Sequence, residues 1–175
     1  FNILTGLRQK TANYPGVTVE KHTGHINLNK QRVTLVDLPG AYSIAAQSPD
    51  EMVAIDVLLG HVEDLPRPRA ILAVVDATNL RRNLFLVTQL AELGLPMVIA
   101  LNMTDLAATR GIEIDIALLG EALRAQVVPL SAARGIGLDE LRSALGKAID
   151  AARPPPLRVL PTVNEAAADL WQRLR

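Results

Sequence analysis

Short apolar runs alternate along this chain with longer segments in which apolar residues recur at helical spacing. The apolar runs are residues 26–28, 33–36, 71–75, 97–101 and 127–130. The first two are joined by a polar connection, residues 29–31, which is short enough for an antiparallel hairpin. The later runs are separated by helical segments, a pattern typical of βαβ crossovers and a buried parallel sheet. The pattern therefore predicts an α/β fold.

Boundary residues predict where three helices lie. Ser48 is a good N-cap residue, Pro49 suits the first helical position, and Glu51 completes a capping box. A second helix is predicted over residues 80–93, because Gly94 follows it, and a third over residues 138–152. Arg153 and three prolines then predict a stiff spacer. We predict one domain over 1–152, a linker over 153–162, and the start of a helical module over 163–175.

Composition removes several classes of function. The 175 residues carry 18 Lys and Arg against 18 Asp and Glu, and this neutrality disfavours nonspecific binding to nucleic acid. The absence of cysteine excludes disulfides, thiolate metal sites and a cysteine nucleophile. The longest aliphatic runs fall far short of the roughly 18 residues that cross a bilayer. We expect a soluble piece without a nucleic-acid partner.

Polar clusters follow four of the predicted strands. These clusters are Asp37-Leu38-Pro39-Gly40, Asp76-Ala77-Thr78-Asn79, Asn102-Met103-Thr104-Asp105 and Ser131-Ala132-Ala133. The carboxyl ends of parallel strands share one edge of an open sheet, where ligands bind. We therefore expect the four clusters to converge.

Each cluster has a chemical task if the ligand is a guanine nucleotide. Asp37 can hold a Mg²⁺ ion through water, and Gly40 can bring its N–H to a terminal phosphate. Asp105 can accept hydrogen bonds from the N1–H and 2-amino groups of guanine, while Asn102 braces its loop and contacts N7. Backbone N–H groups of the Ser131 cluster can reach guanine O6. Each motif alone is more often a turn or a helix cap than part of a nucleotide site; the order of the motifs predicts the nucleotide site.

The motifs resemble those of known GTPases. DxxG, NxxD and SAA in this order are similar to the third, fourth and fifth signature elements of translation-factor-related G domains, although Met103 replaces the usual Lys. The resemblance sharpens to the cytoplasmic G domain of ferrous iron transport protein B, FeoB, over about residues 1–150, where Met in the fourth element is normal. The segments that carry it are NYPGVTVE at 13–20, DLPGAYS at 37–43, SPDE at 48–51, VDATNL at 75–80 and LGLP at 93–96.

That resemblance implies a P-loop NTPase-type three-layer α/β/α G domain with a mostly parallel sheet, one antiparallel edge hairpin and a following helical module that favours nucleotide retention. It adds Gly16, Val17 and Thr18 to the GTP-binding residues, and it makes Thr18, with Asp37, a Mg²⁺ ligand. It implies slow hydrolysis of GTP to GDP that regulates or drives Fe²⁺ uptake.

The chain also departs from the family pattern. The P-loop, GxxxxGK[ST], does not occur, and the family places it directly before the helix in which Phe1 lies. We expect that the first strand and P-loop are missing, and that without them folding and GTP binding are poor. Ala41 and Tyr42 follow DxxG where many GTPases have a glutamine, so hydrolysis should be slow and no catalytic residue is assigned. Potassium is implied only by the resemblance, because the P-loop asparagine that helps to hold this cation in the family does not occur in the sequence.

The resemblance further implies a place at the cytoplasmic face of a bacterial inner membrane. The implied partners are GTP or GDP, a membrane transport domain of the same polypeptide and small accessory iron-transport proteins; a homo-oligomer stays open. His22, His25 and His61 are dispersed and are interpreted as surface residues rather than an iron site. Two alternatives remain: a soluble ribosome- or tRNA-associated GTPase, and a nucleotide-gated binding module with negligible turnover.

Overall fold

The computed structural model describes residues 1–6, 9–15, 17–40, 48–152 and 154. It divides into two compact units, Phe1–Pro68 and Arg69–Arg175. The predicted helical module at 163–175 lies outside the described residues, as do Gly16, Ala41 and Tyr42. The predicted domain and linker boundaries therefore stay predictions. Among the described residues, no helix combines the length and the apolar character that a membrane crossing requires.

The first unit contains an antiparallel sheet of three strands in the order β1-β2-β3. Its elements are α1 (Asn2–Thr5), β1 (Gln9–Asn13), β2 (Glu20–Leu28), β3 (Gln31–Asp37) and α2 (Pro49–Leu59). The predicted hairpin is confirmed as β2 and β3, and both strands are longer than their apolar runs. Strand β1 was not predicted, because its exposed polar residues carry no alternating pattern; pairing with β2 defines it.

The hairpin turn contains two residues, Asn29 and Lys30, rather than the three predicted. Both have positive φ, 49° and 63°, which is the geometry of a type I′ turn. This turn matches the right-handed twist of the strands it joins. Gln31, the third residue of the predicted connection, already belongs to β3.

Helix α2 begins as the capping pattern predicts. The Ser48 Oγ accepts a hydrogen bond from the Glu51 N–H at 3.3 Å, and the helix ends at Gly60 with φ of 79°. The helix packs into the core of this unit. That core consists of Tyr14, Val19, Val53 and Val57, with the partly buried Leu38, Val62 and Leu65 against it. It therefore joins α2 to the segments that precede β2 and follow β3.

The second unit contains a parallel sheet in the order β4-β5-β6. Its elements are β4 (Ile71–Asp76), α3 (Leu80–Glu92), β5 (Met97–Asn102), α4 (Thr104–Thr109), α5 (Ile116–Leu123), β6 (Gln126–Pro129) and α6 (Leu138–Asp150). The 3₁₀ turn Ala77–Asn79 follows β4, and a second 3₁₀ turn, Ala132–Arg134, precedes α6. Strand β5 is central, and all its residues except Asn102 are buried. The helices predicted over 80–93 and 138–152 are confirmed within two residues.

Arg69 fixes the end of α6 to the start of the parallel sheet. Its Nη2 donates to the carbonyl oxygen of Ile149 at 2.6 Å and lies 3.5 Å from the Asp150 carboxylate. A cation at a helix C-terminus satisfies carbonyl groups that have no partner inside the helix.

The predicted fold class, an α/β fold with a parallel sheet and an antiparallel hairpin, is confirmed. The expected convergence of polar clusters is found for three of them, since β4, β5 and β6 end at one edge. Asp37 ends β3, whose partner in the sheet is β2, so its convergence with the other clusters stays a prediction.

Candidate functional site

Three polar clusters lie at the carboxyl edge of the parallel sheet. In the first of them, the side chain of Asp76 forms hydrogen bonds within its own turn. Asp76 and Asn102 are direct neighbours in the register of β4 and β5. The Asp76 Oδ1 accepts hydrogen bonds from both the N–H and the hydroxyl of Thr78, each at 2.8 Å. This carboxylate therefore caps the 3₁₀ turn after β4.

The other two clusters are joined by direct hydrogen bonds. The Asn102 Oδ1 accepts the N–H of Ala132 at 3.0 Å, which is the brace expected of this asparagine. Thr104 donates to the carbonyl oxygen of Leu130 through both its hydroxyl, at 3.0 Å, and its N–H, at 3.3 Å. The loops after β5 and β6 are thus one hydrogen-bonded structure. Because the Ala132 N–H is engaged, a contact with guanine O6 would come from Ala133.

Met103 adopts a backbone conformation that is unusual for its residue type. It has φ of 62° and ψ of 30° at the N-cap of α4, and its side chain is 43% exposed. A residue other than glycine in this region costs roughly 1–2 kcal/mol, and such strain concentrates at functional sites. The strained turn sets the start of α4, where Asp105 stands in the first turn.

Asp105 forms an ion pair that sequence reasoning missed. The Nε of Arg134 lies 3.1 Å from the Asp105 Oδ2, with the side chains 66% and 30% exposed respectively. Arg134 follows Ser131-Ala132-Ala133 directly, and its place beside that motif was the only signal available in the sequence.

Backbone hydrogen bonds between its two ends close the loop after β6. Ser131 and Ile136 exchange two backbone hydrogen bonds of 3.1 Å each, and Ser131 is buried. Gly135 and Gly137 have positive φ, 70° and 81°. A Cβ atom at Gly137 would lie only 2.5 Å from the Pro129 carbonyl oxygen. The position of Arg134 on this loop is therefore well defined.

In the first unit, Thr18 and Asp37 line one open cavity of about 330 Å³. The lining residues are Thr18, Val19, Glu20, His22, Asp37, Leu38 and Pro39. Val17 and Gly40 are exposed, and a Cβ atom at Gly40 would meet no atom within 4 Å. The described residues thus place four of the predicted GTP-binding residues, Thr18, Asp37, Leu38 and Pro39, around this cavity.

The donor set of this cavity fits Mg²⁺. Mg²⁺ is commonly held by one or two protein oxygens together with phosphate oxygens and water. The Thr18 hydroxyl and the Asp37 carboxylate supply two such oxygens. Within the described ranges, no cluster of three or more His, Cys, Asp or Glu could hold a metal by itself, so the fit depends on phosphate as an additional ligand.

The histidine of this cavity contacts one residue of its own strand and one of a neighbouring strand. His22 stands opposite Asp37 in the register of β2 and β3. Its Nε2 lies 3.3 Å from the Glu20 carboxylate, and its Nδ1 lies 3.2 Å from the Thr11 hydroxyl. Elsewhere on β2, His25 contacts the Thr34 hydroxyl at 3.4 Å.

Tyr14 anchors the segment that carries Thr18. Its N–H donates to the Val19 carbonyl oxygen at 3.0 Å, and its own carbonyl accepts the Val17 N–H at 3.3 Å. The side chain is 2% exposed, and its hydroxyl has no hydrogen-bond partner among the described residues. Burial, and secondarily the negative charge of Asp37, raise the pKa of the Tyr14 phenol.

Tyr14→Phe is expected to stabilise the protein by about 1–2 kcal/mol, because it removes a buried hydroxyl that has no hydrogen-bond partner among the described residues. The raised pKa adds a pH dependence. Between the unfolded pKa of 10.0 and the higher folded pKa, only the unfolded phenol ionises, so wild-type stability falls above pH 10. Urea unfolding at pH 7 and at about pH 10.5 measures both effects. Tyr42→Phe is the control for general tyrosine ionisation; an equal loss of stability at high pH in wild type and Tyr14→Phe would contradict the assignment.

Comparisons with known proteins agree on one family. The model of the family described as ferrous iron transport protein B matches residues 1–145. The chain is 44% identical over 151 residues to the Fe(2+) transporter FeoB of Shigella flexneri, and equally to that of Escherichia coli strain K12. Each match covers 84% of this chain and 19% of the relative. The chain thus spans about a fifth of the length of these curated relatives.

Solved structures give the same result. The cytosolic domain of L. pneumophila FeoB aligns with a TM-score of 0.81 and 41% identity, over 93% of this chain and 62% of that one. The cytosolic domain of the T. maritima FeoB iron transporter, in a GMPPNP form, aligns with a TM-score of 0.82 and 33% identity. That match covers 90% of this chain and 60% of the other.

Proposed function

Since the chain belongs to the family of ferrous iron transport protein B, we propose that it is the guanine-nucleotide-binding part of a ferrous iron transporter. The observation that carries this proposal is the hydrogen-bonded pair of loops after β5 and β6. The Asn102–Ala132 bond brings an NxxD motif and an SAA motif together at the edge of a parallel sheet where ligands bind.

We propose that these two loops recognise the base. Asp105 accepts the N1–H and 2-amino groups of guanine, a donor pair that adenine lacks, and the Ala133 N–H donates to O6. Asn102, Thr104 and Leu130 hold the loops at the required separation. The remaining residues of the base site are Met103, Ser131 and Ala132.

For the phosphate end, the proposal assigns Mg²⁺ to the oxygens of Thr18 and Asp37, which line one cavity. The ion would neutralise phosphate charge in the bound nucleotide. We assign the contact with the terminal phosphate to the Gly40 N–H; a Cβ atom at this position would meet no atom within 4 Å. The remaining residues proposed for this end are Gly16, Val17, Leu38 and Pro39.

The core of the first unit offers a route from nucleotide to helix. Tyr14 and Val19 flank the Thr18 segment, Leu38 follows Asp37, and all three pack with Val53 and Val57 of α2. Ordering of Thr18 and Asp37 by GTP would therefore change the packing of α2. We propose α2 as the element that reports the nucleotide state.

The proposal extends to the whole protein. The chain spans only 19% of the length of its curated relatives, which are named as Fe²⁺ transporters. We therefore propose that the same polypeptide contains a membrane transport domain. We also propose that this chain lies at the cytoplasmic face of a bacterial inner membrane. Small accessory iron-transport proteins, K⁺ and self-association are further proposed from the family resemblance.

Slow GTP hydrolysis tests the proposed function. In the natural full-length polypeptide that contains this chain, single-turnover hydrolysis is expected at an intrinsic rate on the order of 10⁻³ s⁻¹, because neither residue after DxxG can orient water. The rate should be higher in K⁺ than in Na⁺, and ATP should not be hydrolysed. GTP binding without turnover in either salt would instead support a nucleotide-gated binding module.

A further inference from the structure

The ion pair between Arg134 and Asp105 lies inside the loop pair to which base recognition is assigned. Three hydrogen bonds already join these loops through Asn102, Thr104 and Leu130. The Arg134 contact is different, because among the described residues it alone reaches the carboxylate of Asp105. Arg134 therefore acts on the atoms that would meet the base rather than on the loop backbone.

We propose that Arg134 is a positioning residue, which holds the Asp105 carboxylate in the orientation that accepts both guanine donors. The proposal rests on the proposed function. A carboxylate group offers about four lone-pair sites, of which guanine uses two and the Arg134 Nε one. Arg134 and guanine can therefore bind Asp105 together, and the ion pair prevents rotation of the carboxylate before the base arrives.

The contact is an ion pair in which the guanidinium group meets one oxygen of the carboxylate through its Nε. Nε is the first polar atom of the arginine side chain, and it lies 3.1 Å from Oδ2. The Arg134 backbone is fixed by the closed turn between Ser131 and Ile136. Both side chains are partly exposed, so this ion pair is expected to contribute no more than about 1 kcal/mol.

Three substitutions test whether the charge of the ion pair is responsible. Arg134→Gln places an amide nitrogen at the position of Nε and removes the charge. Arg134→Met places a methyl group there and removes both donor and charge. Arg134→Lys keeps the charge but places its nitrogen one atom farther along. Measured on the natural full-length polypeptide, Arg134→Met and Arg134→Gln, which both remove the charge, are expected to weaken GDP binding roughly two- to fivefold, and Arg134→Lys by less than about 1.5-fold.

Inosine diphosphate supplies a readout that a purely structural role would leave unchanged. Inosine lacks the 2-amino group, so Asp105 makes only one hydrogen bond to it and depends less on orientation. Arg134→Met should therefore lower the ratio of GDP affinity to IDP affinity, with an unchanged urea midpoint. In an Asp105→Asn background the effect of Arg134→Met should vanish, as a double-mutant cycle requires of an effect that acts through that carboxylate.

Several results would overturn the proposal. An equal loss in Arg134→Lys and Arg134→Met would show that the ion pair is not responsible, and tighter GDP binding by Arg134→Met would show that arginine competes with guanine. Equal losses for GDP and IDP would show a structural role. If Asp105→Asn weakens GDP binding but Arg134→Met does not, only this inference fails; if Asp105→Asn leaves GDP binding intact, the proposed base site itself fails.

Discussion

Asp105→Asn is expected to change the nucleotide preference from guanine to xanthine. The asparagine amide turns one acceptor into a donor that faces the 2-amino group of guanine, while the 2-oxo group of xanthine accepts from it. Loss of one charge-assisted hydrogen bond costs about 1.5–3 kcal/mol, and the opposed donors add to this. GDP affinity should fall about a hundredfold or more, since 1.4 kcal/mol is a factor of ten, and XDP affinity should rise.

Equilibrium binding of fluorescent GDP and XDP to the full-length protein measures this exchange. Asp139→Asn is the matched control, because Asp139 makes an exposed i,i+3 ion pair with Arg142 on α6. That variant carries the same chemical change and should keep the wild-type preference. An unchanged ratio of GDP to XDP affinity in Asp105→Asn would refute the assignment of the NxxD motif.

Gly137→Ala is expected to destabilise the fold by about 2–5 kcal/mol, through two separate costs. The positive φ of 81° strains any L side chain, and the new Cβ would lie 2.5 Å from the Pro129 carbonyl oxygen and 2.9 Å from the Leu130 Cβ. Since Gly137 is the N-cap of α6 and follows the closed loop, relief of the overlap must move that loop or the end of β6.

Gly135→Ala separates the two costs. Gly135 has a similar φ of 70°, but the nearest atom to its added Cβ would be 3.9 Å away. It should lose only the roughly 1–2 kcal/mol of backbone strain. Urea unfolding of both variants gives the comparison. Equal midpoints would mean that the contact with Pro129 relaxes without cost, and that the tight approach does not define the loop.

Prediction from the sequence succeeded where local chemistry decides local structure. The Ser48 capping pattern starts α2, and the aliphatic runs of β4, β5 and β6 form a parallel sheet. It failed for β1, whose exposed residues are mostly polar and which exists because β2 offers it hydrogen-bond partners. It predicted a helical segment between β5 and β6 without bounds, and the structure forms two short helices there, α4 and α5.

The candidate site shows the same division. The sequence alone determined that polar clusters follow the apolar runs, and this pattern was enough to place the clusters at the ends of strands. Only the tertiary structure decided that Ala132 donates to Asn102 and that Arg134 reaches Asp105. The physical reason is that strand ends follow from patterns a few residues long, whereas a side-chain contact across 29 or 30 residues depends on how the sheet brings two loops together.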